Sequence, residues 1–160
     1  METYELTPDA FSLKGQVALI TGGGTGIGLG IAQAFIAQGA RVMISGRREE
    51  VLQQAVEQLG PKAAYRVHDV TATDTAAELV DAAETELGPL TALVNNAGNQ
   101  VRKAAEDLTD ADMREVMDVH VNGAFALSRQ AAGRMLDGRG GSILFIASMA
   151  SLMGIPYVLP

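Results

Sequence analysis

The spacing of apolar residues changes its period repeatedly along the chain. Val17–Ile20 is an unbroken apolar run, the pattern of a strand buried on both faces, and it breaks at Thr21 into glycines. Ile27, Ile31 and Phe35 then recur at every fourth position, which predicts a helix over 26–38 with that face inward. Gly39 ends it. Arg41–Ser45 predicts a second strand. Val51, Leu52, Ala55 and Leu59 mark a second helix, closed by Gly60-Pro61, and Ala63–Val67 a shorter third strand. Thr71-x-x-Asp74 reads as a capping box opening a third helix, whose Ala76, Leu79, Val80, Ala83 and Leu87 share one face up to the stop at Gly88-Pro89. Leu90–Val94 predicts a fourth strand, followed by the turn Asn95-Asn96-Ala97-Gly98. A second box, Thr109-x-x-Asp112, starts a long helix through Met113, Val116 and Met117 to about Met135. Gly138 to Gly141 breaks it, and Ser142–Ala147 predicts a fifth strand.

Strands separated by helices require right-handed crossovers and a parallel sheet. The expected fold class is therefore α/β, a doubly wound parallel sheet (a Rossmann fold) with its ligand crevice at the carboxyl ends of the strands. Residues 1–12 read as a flexible lead-in and 13–160 as one nucleotide-binding domain. No repeat, linker or low-complexity segment divides it.

The corner between the first strand and helix carries the first chemistry. Glycines let backbone come close to a pyrophosphate, and a helix N-terminus aims unpaired N–H groups at it. The literal G-x-G-x-x-G is absent; the residues are Thr21-Gly22-x-x-x-Gly26-x-Gly28. A purely structural strand–helix turn is the other reading of this stretch taken alone.

Composition narrows the partners. The chain has 160 residues, 48% apolar and 19% charged, enough for one globular core. A net charge of -7 repels nucleic-acid backbones and anionic membranes, so neither is an expected partner. Cysteine is absent, which removes thiolate metal sites and fits a reducing, cytoplasmic location; His68 and His120 are isolated, and no metal is expected. The start, METYELTPDA, has three acids and no apolar centre, so it is not a signal peptide. Gly140 to Pro160 carries no charge, but its glycines, serines and two prolines favour a buried strand and an active-site loop over a bilayer span.

Three segments together resemble the short-chain dehydrogenases/reductases: Thr21-Gly22-x-x-x-Gly26-Ile27-Gly28, then Asn95-Asn96-Ala97-Gly98, then Ile146-Ala147-Ser148, each at a predicted strand end. The resemblance spans about Leu13 to Pro160. It implies a nicotinamide cofactor across the strand ends. Gly22, Thr25, Gly26, Ile27 and Gly28 would hold the pyrophosphate. Asp69, with Val70 beside it, is similar to the residue that contacts adenine, although a turn carboxylate is the alternative. Asn96, Ala97 and Gly98 would face the ribose and nicotinamide. Ser148 matches the catalytic serine that binds the substrate oxygen. A homotetramer is the assembly the resemblance implies.

NAD binders usually place an acid at the end of the second strand, against the ribose 2′-OH. Here Ser45-Gly46 is followed by Arg47 and Arg48, which suit a 2′-phosphate, so NADP(H) is expected over NAD(H). The alternative is a solvated helix start, which cations fit poorly.

Two features depart from the family pattern. Its proton-donating tyrosine, and the lysine four places later, would fall at 161 and 165, past Pro160, so the chain is expected to be an N-terminal portion truncated before the Tyr-x-x-x-Lys motif. Tyr157 stands too close to Ser148 for that role and is expected to pack in the substrate loop. His120 stands where many members carry an asparagine that bends the long helix and serves a water relay. It is a catalytic candidate by position; packing is its other reading, and Asn122 would substitute only with a shifted register.

The stretches Asn95–Lys103 and Ile146–Met149 are most similar to sugar-acid dehydrogenases of the gluconate type. Arg102 is a candidate for a substrate carboxylate, or else a solvated arginine. The leading expectation is an oxidoreductase interconverting a secondary alcohol and a ketone on a small-molecule substrate. Alternatives are a 3-oxoacyl or enoyl thioester substrate, or a non-catalytic dinucleotide-binding sensor or scaffold.

Overall fold

The computed structural model describes residues 10–138 and 140–157. The lead-in therefore lies largely outside the described residues. Five strands, β1 (Val17–Thr21), β2 (Arg41–Gly46), β3 (Ala63–Val67), β4 (Ala92–Asn95) and β5 (Ser142–Phe145), alternate with helices α1 (Gly26–Ala37), α2 (Glu49–Leu59), α3 (Ala76–Leu87), α4 (Asp110–Met117) and α5 (Ala124–Asp137). All pairs are parallel, in the order β3-β2-β1-β4-β5. The chain steps outward from β1 to β3 and then returns to the other side of β1. Such a reversal opens a crevice above β1 and β4, where ligands bind in this class of sheet.

The unbroken apolar run of β1 is explained by two cores. Val17 and Leu19 face a cluster with Met43, Leu79, Leu93 and Leu127, under α3 and α5. Ala18 and Ile20 face the opposite cluster with Val42, Ile44 and Leu52, under α1 and α2. Each fully buried large aliphatic contributes about 1.5–3 kcal/mol. Thr91 adds a polar tie at the lower end: its hydroxyl oxygen accepts the Val17 N–H at 2.9 Å.

Several sequence expectations are corrected. On α1 the buried positions are Gly28 and Ala32, with Ile31 and Phe35 half-buried, while Ile27 is 67% exposed. Small residues face the sheet there, so the helix lies close to it and the apolar face is rotated from the Ile27 line. The box at Thr71–Asp74 does not form. Asp69 takes the Thr71 amide and hydroxyl instead, and α3 is entered through a 3-10 turn at Thr73–Thr75. The second box does form: Thr109 Oγ1 accepts the Asp112 N–H at 3.2 Å and Asp112 Oδ2 the Thr109 N–H at 2.9 Å. The long helix is not continuous, because Asp118–Gly123 winds as a π-helix between α4 and α5. The fifth strand stops at Phe145, two residues early, and Tyr157 is 66% exposed rather than packed. Among the described residues no helix is long and apolar enough to cross a membrane.

Candidate functional site

The crevice is built from the corners that follow β1 to β4, closed on one side by α4 and the π-helix. It encloses about 440 Å³. Its first wall is the β1–α1 corner, which Thr21 shapes. Thr21 is buried, and its hydroxyl oxygen accepts the N–H groups of both Asn96 and Ala97, each at 3.0 Å. Asn96 answers with its side chain, donating Nδ2 to the carbonyls of Thr21 (2.9 Å) and Gly22 (3.2 Å).

The glycines at this corner have separate reasons. Gly22 takes φ +64°, and a β-carbon on it would stand 3.0 Å from Ala97 Cα. A β-carbon on Gly28 would stand 2.4 Å from the Gly22 carbonyl oxygen, so Gly28 is what lets α1 start this close to β1. Gly26 has φ +55° with open space beyond it. Thr25 caps α1 with extended backbone, but its side chain makes no cap bond and the first turn holds no acid. The first amides of α1 therefore keep their hydrogens and their partial positive charge for an external anion. A diphosphate fits this corner.

Arg47 and Arg48 form the second wall, at the exit of β2. Both are exposed, and among the described residues neither is in an ion pair. Asp69 and Val70, after β3, form the third. The Asp69 carboxyl is held below its ordinary range, first because the Thr71 N–H donates to it, with the Thr71 hydroxyl, Arg47 and His68 adding to the effect against partial burial. Asn96, Ala97 and Gly98 form the fourth.

Not every expected residue meets there. Gly28 lies behind the wall rather than on it. Ser148 stands beyond the end of β5, where its hydroxyl oxygen accepts the Ala150 N–H at 3.2 Å, and it is outside the cleft lining. Arg102 is also outside. With the Gln100 amide oxygen turned toward it, its guanidinium lies 3.2–3.3 Å from that oxygen. His120 sits on the π-helix against the fourth wall, with Nε2 2.8 Å from the Asn99 carbonyl oxygen and 3.1 Å from its amide. Asn122 turns elsewhere, donating to Asp118 at 2.7 Å.

The structure also adds wall residues that sequence spacing did not suggest: Gly46, His68, Asn99, Glu115 and Val119. His68 both lines the cleft and bonds within the fold. The Thr75 hydroxyl spends its proton on the Ala72 carbonyl at 3.0 Å, so its oxygen accepts from His68 Nε2–H at 3.2 Å. Burial lowers the pKa of His68, outweighing the pull of Asp69 and Glu78, and Nδ1 is left buried with no partner among the described residues. A strand-exit position before Asp69 was the one available signal for it.

A family model described as short chain dehydrogenase matches residues 16–160. The chain belongs to this family. Among relatives of this short-chain dehydrogenase is the NADP-dependent (R)-specific alcohol dehydrogenase of Lentilactobacillus kefiri, 40% identical over 147 residues, covering 90% of this chain and 58% of that protein. Gluconate 5-dehydrogenase of Gluconobacter oxydans is 38% identical over 156 residues, covering 96% and 61%. A crystal structure from Sinorhizobium meliloti, of a protein assigned to the short-chain alcohol dehydrogenases, superposes with a TM-score of 0.88 at 34% identity, over 93% of this chain and 60% of that one. The short-chain dehydrogenase described here thus spans about three-fifths of the length of these proteins.

Proposed function

We propose that the cleft binds NADP(H) and that the whole protein interconverts a secondary alcohol and a ketone. The observation that carries this reading is the β1–α1 corner: an uncapped, acid-free helix start beside a left-handed Gly26 with open space in front of it. When bound, the nicotinamide supplies or accepts the hydride. The chain's own residues bind and orient. Gly22, Thr25, Gly26 and Ile27 take the diphosphate, with Gly28 giving α1 its close approach. Arg47 and Arg48 take the 2′-phosphate as charge-assisted donors, Asp69 and Val70 the adenine, and Asn96 to Gly98 the ribose and nicotinamide side. Ser148 donates its hydroxyl proton to the substrate oxygen, a proton that accepting the Ala150 N–H leaves free. Arg102 takes a carboxylate if the substrate is a sugar acid, the class named for the gluconate relative.

We further propose that the 160-residue chain by itself binds cofactor without turnover, because the tyrosine and lysine that move the proton in this family match no residue within it. The position of Ser148, outside the cleft lining, favours the same view. The test uses two proteins: this chain, and an extended form that joins it to the C-terminal two-fifths of a full-length relative such as the gluconate 5-dehydrogenase. NADPH fluorescence should report binding to both, and oxidation of NADPH by a gluconate-type keto acid or a neutral ketone should occur only in the extended form. Binding without turnover in both would favour a sensor or scaffold.

A further inference from the structure

We propose that His120 is a positioning residue, which sets the fourth wall of the cleft by holding the backbone of Asn99. The proposal deepens the reading of the cleft as a dinucleotide site and rests on it. His120 Nε2 lies 3.1 Å from the Asn99 N–H nitrogen and 2.8 Å from the Asn99 carbonyl oxygen. One ring nitrogen faces both backbone groups of one residue. With a lone pair on Nε2 the ring accepts from the N–H; with a proton there it donates to the carbonyl. Either tautomer therefore grips Asn99. A peptide group neither takes nor gives up a proton near neutral pH, so Nε2 is spent on an anchor.

Asn99 passes the grip onward. Its Nδ2 donates to Glu115 Oε1 at 3.1 Å, and Glu115 also lines the cleft, one turn of α4 before Val119. Two points on the α4–π segment thus fasten one residue of the loop that leaves β4. The ring itself rests on Gly98: a β-carbon there would stand 2.8 Å from His120 Cε1 and 3.4 Å from Nε2. Gly98 is not among the glycines of positive φ, so what a side chain there would meet in this chain is the imidazole. The π-helix completes the arrangement. Its extra residue rotates everything beyond it by about 100° relative to a regular helix, and that turn sets which side chain meets the loop.

The test compares wild type, His120→Leu and His120→Gln, whose amide reaches the same distance as Nε2. Backbone amide exchange over residues 97–99 is read without ligand, and NADPH affinity by fluorescence. His120→Leu should speed exchange in this loop and weaken NADPH about fivefold, the worth of one net hydrogen bond, and His120→Gln should restore both. Gly98→Ala should weaken NADPH in wild type and do so less in a His120→Ala background, where the ring is gone. Unchanged exchange and affinity in His120→Leu would overturn the proposal, as would a loss of turnover in the extended protein with both unchanged. A wild-type chain that ignores NADPH defeats the dinucleotide reading itself, and the exchange arm then still decides whether His120 holds the loop.

Discussion

Thr21 and Asn96 bond to each other reciprocally. The Asn96 amide donates to Thr21 Oγ1 at 3.0 Å, and Asn96 Nδ2 returns to the Thr21 carbonyl at 2.9 Å. This pair joins the carboxyl ends of β1 and β4, the place where the sheet order reverses. It fixes how far apart the first and fourth walls of the cleft stand. Thr21→Val keeps the shape but removes the acceptor of two N–H groups, those of Asn96 and Ala97. Each orphaned donor costs about 1–3 kcal/mol, so urea unfolding should show a loss of about 2–6 kcal/mol. Thr21→Ser, which keeps the oxygen, should lose about 1 kcal/mol or less for its missing methyl.

Two glycines of α1 should respond in opposite directions. At Gly28 a methyl group meets a backbone carbonyl, which no rotamer change relieves, so Gly28→Ala should shift α1 off β1 and abolish measurable NADPH binding. Gly30 is exposed, has nothing within 4 Å of a β-carbon and sits mid-helix. Gly30→Ala should stabilise the fold by about 0.5–1 kcal/mol, visible as a higher Tm, with cofactor affinity unchanged.

Replacing Arg47 and Arg48 together by serine should separate the two nicotinamide cofactors. Loss of a charge-assisted contact costs about 1.5–3 kcal/mol, which raises the NADPH Kd by about 10-fold to 100-fold. The NADH Kd should move by less than about threefold, since no 2′-phosphate is involved. Parallel losses for both cofactors would remove the two arginines from phosphate recognition.

Much of the fold was legible because β1 and β2 are buried on both faces and read as uninterrupted apolar runs, and because Gly39, Gly60 and Gly88 punctuate the helices. The cleft lining was legible where residues directly follow a strand: the glycines after β1, Arg47 and Arg48 after β2, Asp69 and Val70 after β3, and Asn96 to Gly98 after β4. Glu115 and Asn99 escaped, since an exposed acid on a helix and a loop amide carry no local pattern; only the fold brings them to the cleft. The π-helix escaped for a related reason: one extra residue in a helix leaves the apolar spacing around Met117 and Val121 almost unchanged. Thr71 and Asp74 have the spacing of a cap, but Asp69 reaches the Thr71 amide first.

The capping box at α4 should show itself in acid. The Asp112 carboxyl is pulled down from 3.8 to about 2, first by the hydrogen bond from Lys103, then by those from the Thr109 hydroxyl and amide. A carboxyl whose folded pKa is depressed stabilises the fold above its unfolded pKa and loses that contribution as pH falls through the folded one. Wild type and Asp112→Asn should therefore differ in stability above pH about 4 and converge as pH drops toward about 2. A difference that persists at pH 2 would assign the effect to packing instead.

The central claim is that the amides at the start of α1 hold a dinucleotide's diphosphate, and amide chemical shifts test it most directly. In an NMR titration of the 15N-labelled chain with NADPH, the largest shifts should fall on residues 22–28, with smaller ones at 46–48 and 96–99. Saturating NADPH that leaves residues 22–28 unmoved, whether or not other amides respond, would contradict the account.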